Sequence, residues 1–312
     1  MPEKASLTGA PPKRVAVFGA TGTAGQAARR VLIAAGHDVT CIGRSDAGID
    51  ANVTQPLDIE HRFDVVVSCL ASRSGSPADA WAIDHGAQLN ILNWAQGAGV
   101  QHFILLSAIC VQKPKLPFQH AKLAFEAALI QSGLTYSIVR PTAFFKSLSG
   151  QLGRVRDGKP FLVFGDGTLT ACKPISDDDL GRFITGCIDD PLRHNQVLPI
   201  GGPGPAITPL DQVAALSDLL GQQIKIKRVP AAMIAAIYRV LWVVGWVSKR
   251  AADKAELARI GHYYATESML VWDGARYDAD ATPETGTETL RDHYAAVTAN
   301  NATVQRSDHT VF

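Results

Sequence analysis

The stretch RVAVFGATGTAGQAARRVL, residues 14–32, decides the fold. Arg14 to Phe18 form a short apolar run that ends at Gly19, the pattern of a buried strand. Residues 23–35 follow with helical spacing. Between them stand Gly19, Gly22 and Gly25. Glycines at this spacing allow a tight turn, close approach of a pyrophosphate, and close packing of helix on strand. The helix N-terminus behind them offers unpaired N–H groups to the phosphates. Such a trio directly after a strand and at the opening of a helix is a dinucleotide fingerprint, whereas the glycines alone also fit a structural turn. Thr21, Thr23 and Ala24 lie in the same loop and join the three glycines as candidate cofactor contacts.

Working outward, DVTCIGR (38–44) reads as a second strand. FDVVVSCLA (63–71) is another, and its near-continuous valine indicates burial on both faces, as in a parallel sheet. A helix over roughly 79–98 leads into the strand HFILLSAICV (102–111). The helix opening at FQHAK (118–122) and the strand TYSIVRP (135–141) complete the series. Strand alternating with helix implies right-handed crossovers and an α/β, doubly wound parallel-sheet Rossmann fold. The expected division is a nucleotide-binding domain over 1–141, a smaller mixed substrate lobe over 142–298 sharing its core, and a frayed tail over 299–312. Within the lobe, FLVFGDG is a strand and turn. Ser176 with Asp179, and Thr208 with Asp211 and Pro209, carry the spacing of two capping boxes.

Composition narrows the function classes. The chain has 312 residues, 46% hydrophobic and 19% charged, and a net charge of +1. That balance argues against nucleic acid and against a polybasic anchor. Five scattered cysteines with no C-x-x-C pair read as reduced, buried thiols, and no clustered soft ligands suggest zinc or an iron–sulfur cluster. The opening residues MPEKASLTGAPPKR lack an apolar h-region and are too short for a transit peptide. The segment 230–250 is almost wholly apolar but is interrupted by Arg239, which argues against a membrane span. A buried or cleft-lining helix is expected there, the alternative being a greasy helix that touches a membrane surface or a hydrophobic substrate.

The nucleotide choice turns on the end of the second strand. An acidic residue there suits the ribose of NAD. Arg44 and Ser45 occupy the place, and a guanidinium matches a phosphate, which points to NADPH. Asp58 is a candidate for the adenine. Leu70, Ala71 and Ser72 leave the fourth strand where ligands sit in open α/β sheets, and Pro141 closes the sixth. Ser107 ends the fifth strand and is expected to face the same crevice. Phe118 and Lys122 are spaced i,i+4 and share a helix face. In tyrosine-dependent short-chain dehydrogenases that face carries Tyr and Lys. Lys122 keeps the ribose-holding half, but Phe118 has no proton to give. Alcohol–ketone redox and sugar epimerisation therefore lose their usual donor, and a reaction that makes or breaks no hydroxyl is expected.

The motifs GATGTAGQAARRVL, DVVVSCLASRSG, HFILLSAICVQKP, FQHAKLAFE, IVRPTAFFKSLSGQ, KPISDDDL and HYYATESMLVWD resemble those of the NADPH-dependent divinyl (proto)chlorophyllide 8-vinyl reductases, atypical short-chain dehydrogenases. The resemblance runs from about residue 14 to 275. It implies hydride transfer from NADPH to the C8 vinyl group of a tetrapyrrole in (bacterio)chlorophyll synthesis. It also implies Lys122, Phe118 and Ser107 in the catalytic region. His120, Cys110, Lys122 or water remain open as the proton source. Phe144, Trp242, Trp246 and Tyr263 are expected to line the pigment cleft. A bacterial cytoplasmic protein with peripheral contact to photosynthetic membranes fits this reading. Two alternatives stay open: a non-catalytic NADP(H) sensor, and an isoflavone-reductase-like enzyme for a smaller substrate.

Overall fold

Successive valines become parallel strands with both faces covered. The computed structural model describes residues 11–44, 48–246 and 248–299. The chain begins with β1 (Arg14–Phe18), α1 (Thr23–Ala34), β2 (Asp38–Gly43), β3 (Ile49–Asp50) and β4 (Val65–Ser68). One continuous helical stretch follows: α2 (Pro77–Ala80), a π-helical segment (Trp81–Ala87) and α3 (Gln88–Gly97). Then come β5 (His102–Leu106), α4 (Pro117–Ile130) and β6 (Thr135–Pro141). The order of strands in the seven-stranded sheet is β3-β2-β1-β4-β5-β6-β8, with every pairing parallel, where β8 is Gln196–Ile200. That is the doubly wound order, with the ligand crevice at the carboxyl ends of β1 and β4.

The period-two alternation divides the core. Val15 and Val17 face one layer, closed by Leu32 of α1 and by Leu180 and Ile184. Ala16 and Phe18 face the other, closed by Ile91, Trp94 and Phe125. Leu180 and Ile184 lie far along the chain. Residues beyond 141 thus supply both a strand and a covering helix to the nucleotide-binding layer, because β8 pairs with β6.

After β6 the chain forms α5 (Phe145–Leu148), α6 (Leu152–Arg156), β7 (Phe161–Phe164), α7 (Asp177–Gly186) and, after β8, α8 (Pro209–Leu220) and β9 (Ile226–Val229). It ends with α9 (Ala231–Gly245), α10 (Lys249–Thr266), β10 (Val271–Trp272), β11 (Tyr277–Asp278) and α11 (Leu290–Ala299). The lobe has its own core of Phe145, Phe161, Val163, Leu216 and Tyr294.

Thr208 and Asp211 make the expected reciprocal capping box on α8. At α7 only half of the expected box forms. Ser176 accepts from Asp179 N–H, but the Asp179 carboxylate instead accepts from the N–H groups of Thr287 and Glu288 and pairs with Arg182. The tertiary partners outcompete the local one. A larger correction concerns 230–250. Residues 231–245 of it form α9, which buries only Ile234 and exposes Met233, Ile237, Val240, Val243 and Val244. The expected buried helix is a surface helix packed on α10. No helix among the described residues is long and apolar enough to cross a membrane.

Candidate active site

The glycine loop fits a pyrophosphate for steric reasons. Gly19 has φ +74°, and a Cβ there would stand 2.7 Å from the Cys69 carbonyl. A Cβ on Gly25 would stand 2.1 Å from Gly19 O. Gly22 takes the N-cap position of α1 with no side chain to accept a hydrogen bond, and the first turn holds no acidic residue. Its N–H groups therefore remain for an anion. Thr21 is exposed, and Thr23 and Ala24 are half-buried, in the same loop. Lys146, from α5, donates to Thr23 Oγ1 at 3.0 Å and brings a cation to this helix end. Sequence reasoning missed Lys146, which lies 123 residues from its partner; the quoted IVRPTAFFKSLSGQ contains it without any local signal of its role.

Arg44 is exposed just past β2, and among the described residues no carboxylate lies within ion-pair distance of it. Ser45 lies outside the described residues. Asp58 is exposed between the inward-packed Leu57 and Ile59 and lines a groove with Asn90, Asn93 and Trp94, which shares no residue with the glycine loop.

Beyond β4 the loop carries half-buried Leu70, exposed Ala71 and buried Ser72. Ser72 N–H points to Asp84 Oδ1 at 3.4 Å. Asp84 sits in the π-helical segment, only 2% exposed, and the same oxygen lies 3.0 Å from Lys122 Nζ. Its other oxygen, Oδ2, has no partner among the described residues. A widened helical turn places this carboxylate against the lysine of the next helix, and such turns recur at functional sites. Sequence reasoning missed Asp84, because helical periodicity carries no mark of a π segment.

Ser107 is buried just past the end of β5. Its backbone N–H bonds to Val139 O, and its hydroxyl donates to Glu126 at 2.5 Å. Glu126 is buried and paired with Arg140. Glu126 lies on α4 one turn beyond Lys122 and accepts from the hydroxyl, so Ser107 ties strand to helix.

Phe118 packs beside Cys110, Ile260 and Tyr263 at the start of α4. Gln119, fully buried, accepts from the N–H groups of Lys115 and Leu116 and donates to Cys110 O. It fixes the helix entry and hence the position of Lys122. His120 is exposed. Tyr263, expected in the pigment cleft, is 3% exposed and donates to the carbonyls of Cys110 (3.0 Å) and Lys113 (3.3 Å). A buried phenol needs such a partner, and here it anchors α10 to the connection before α4. Glu267 reinforces the anchor through Lys113 and Lys115. Phe144 packs half-buried on the sheet core, and Pro141 is buried at the end of β6. Trp242 and Trp246 pair edge-on at 5.6 Å on the outside of α9, exposed to 51% and 78%.

Burial keeps the nearby thiols protonated. Cys69 is pushed up to about 12 and Cys110 is also raised, with the Lys122 ammonium opposing both. Around Lys122 stand its buried ion pair with Asp84 and two protonated thiols.

Residues 19–191 match the NAD(P)H-binding family model. A chloroplastic divinyl chlorophyllide a 8-vinyl-reductase of Cucumis sativus is 45% identical, covering 94% of this chain and 78% of its own length. The protein of the same name from Arabidopsis thaliana is 44% identical, over 91% and 76%. Among solved structures, an NADPH-dependent quinone oxidoreductase from Escherichia coli, complexed with NADPH, aligns with a TM-score of 0.65 at 17% identity, covering 91% of this chain and 99% of that one. This last likeness speaks to the fold.

Proposed function

From the premise that the chain belongs to the divinyl chlorophyllide a 8-vinyl-reductase family, we infer that it reduces the C8 vinyl group of divinyl chlorophyllide or protochlorophyllide a to ethyl. The observation that carries this reading into the site is Phe118 standing one turn from Lys122, with Lys122 paired to buried Asp84. A carbonyl reductase needs a proton donor at 118. Reduction of a vinyl group conjugated with a macrocycle needs no donor at that position, because the ring delocalises the charge left by hydride addition until a proton from His120, Cys110, Lys122 or water completes the ethyl group.

The residues present fit NADPH. Gly19, Gly22 and Gly25 receive the pyrophosphate with Lys146 beside them, Arg44 takes the 2′-phosphate in preference to NADH, and Lys122 donates to the nicotinamide ribose. Bound there, the cofactor supplies a hydride. Asp84 holds the Lys122 ammonium in place before the ribose arrives. Positioning supplies most of the rate. The proposed setting is a bacterial cytoplasm with photosynthetic membranes.

The test mixes purified protein with NADPH and divinyl chlorophyllide a and resolves the pigments by chromatography. Conversion to the 8-ethyl pigment, much slower with NADH, is expected, and Lys122→Ala should lose about a hundredfold in kcat/KM. Tight NADPH binding with no conversion would assign the protein to the sensor class.

A further inference from the structure

A helix that exposes an apolar surface to water is in an unfavourable state unless something covers it. Viewed down α9, Ile234, Tyr238, Leu241 and Gly245 turn toward the protein. The opposite arc holds Met233, Ile237, Val240, Val243 and Val244, exposed between 45% and 64%, with Trp242 and Trp246 at its edge. Arg239 is the one charge in the helix.

The flanks have the opposite character. Lys225, just ahead of β9, and Lys227 and Arg228 on it are exposed before α9, and Arg250 and Lys254 are exposed on α10 just after it. Among the described residues, none of Lys225, Lys227, Arg239, Arg250 and Lys254 has a carboxylate within ion-pair distance. The stretch 222–259 contains eight Lys or Arg and two Asp or Glu, a net +6 in a chain of net +1, so the remainder carries −5. The positive charge of the protein is gathered around its most apolar exposed surface.

We propose that α9, with its basic flanks, is the surface on which this protein lies on an anionic lipid bilayer. Apolar side chains and tryptophans enter the boundary between headgroups and acyl chains, while lysines and arginines meet the lipid phosphates. The 15-residue helix is about 22 Å long against a hydrocarbon core of about 30 Å, so it lies in the interface and does not cross. A second copy of the chain is the poorer occupant, because symmetric pairing would bring two basic flanks together. The inference is independent of the proposed reaction, since its readout needs neither pigment nor cofactor.

The experiment sediments the full chain with phosphatidylcholine vesicles containing about a quarter phosphatidylglycerol and follows tryptophan emission. Binding is expected, with a blue-shifted emission, and should weaken about tenfold or more on pure phosphatidylcholine or in about 0.5 M salt. The double variant Val240→Asp, Val243→Asp should lose binding while retaining the circular dichroism of the parent. The triple variant Lys225→Glu, Lys227→Glu, Arg228→Glu, which leaves the apolar face intact, should lose the preference for anionic vesicles. No binding by the parent, or binding that both variants retain, would overturn the proposal. So would a dimer, seen by sedimentation velocity without lipid, that the Val240/Val243 variant dissociates.

Discussion

The Lys122–Asp84 pair invites a double-mutant cycle. The two groups stand 3.0 Å apart with side chains 11% and 1% exposed. At an effective dielectric near 20, the gross attraction at that distance is about 5 kcal/mol. Desolvation of two ions offsets much of it, so a net coupling of about 2–4 kcal/mol is expected. Asp84→Ala alone leaves an ammonium largely out of water and should cost about 3 kcal/mol, as should Lys122→Met with the carboxylate stranded. Asp84→Ala combined with Lys122→Met removes both charges and should cost less than the two single changes together. The assay is urea unfolding without ligand, read by fluorescence, with all four proteins at one pH. A functional readout accompanies it: Asp84→Asn keeps the shape but loses the charge, and should raise the NADPH Kd about tenfold through misplacement of Lys122. Coupling below about 0.5 kcal/mol together with an unchanged Kd in Asp84→Asn would refute the positioning role.

The remaining expectations are simpler. Arg44→Ala should weaken NADPH about 10–100-fold and leave NADH within about twofold, by fluorescence titration, if its guanidinium meets the 2′-phosphate. Lys146→Ala, at the glycine loop beside Thr23, should weaken both cofactors by similar factors of about ten, because the pyrophosphate is common to them. His102 is buried, bonded to Ser137, and lowered from 6.5 to about 4 chiefly by burial, with His194 adding to the effect. Its folded value lies below its unfolded one, so its contribution is intact above 6.5 and is lost as pH falls from 6.5 toward 4. The loss should reach about 3 kcal/mol and be absent in His102→Gln, as measured by urea midpoints at neutral and mildly acid pH.

Much of the cofactor half is legible in the linear chain. A strand, three glycines and a helix constrain one another over a dozen residues, and a turn that a Cβ would block is local chemistry. Phe118 and Lys122 share a helix face by spacing alone. The substrate half is not legible in this way. Tyr263 and the tryptophan pair look alike in composition, yet one is a buried anchor and the others face solvent. Ser107 reads as a strand-end hydroxyl until Glu126, 19 residues on, is seen to accept from it.

The amino-acid order, through side-chain period and backbone sterics, settles the parallel sheet, the nucleotide loop and the missing proton donor at 118, because each depends on neighbours within a few turns of chain. Folding in three dimensions decides what depends on distant partners. It sets Asp84 against Lys122, brings Lys146 to the glycine loop, returns β8 to the sheet, and leaves α9 exposed. Hydrophobicity measures how strongly a side chain avoids water, but the packing of other segments decides whether it escapes.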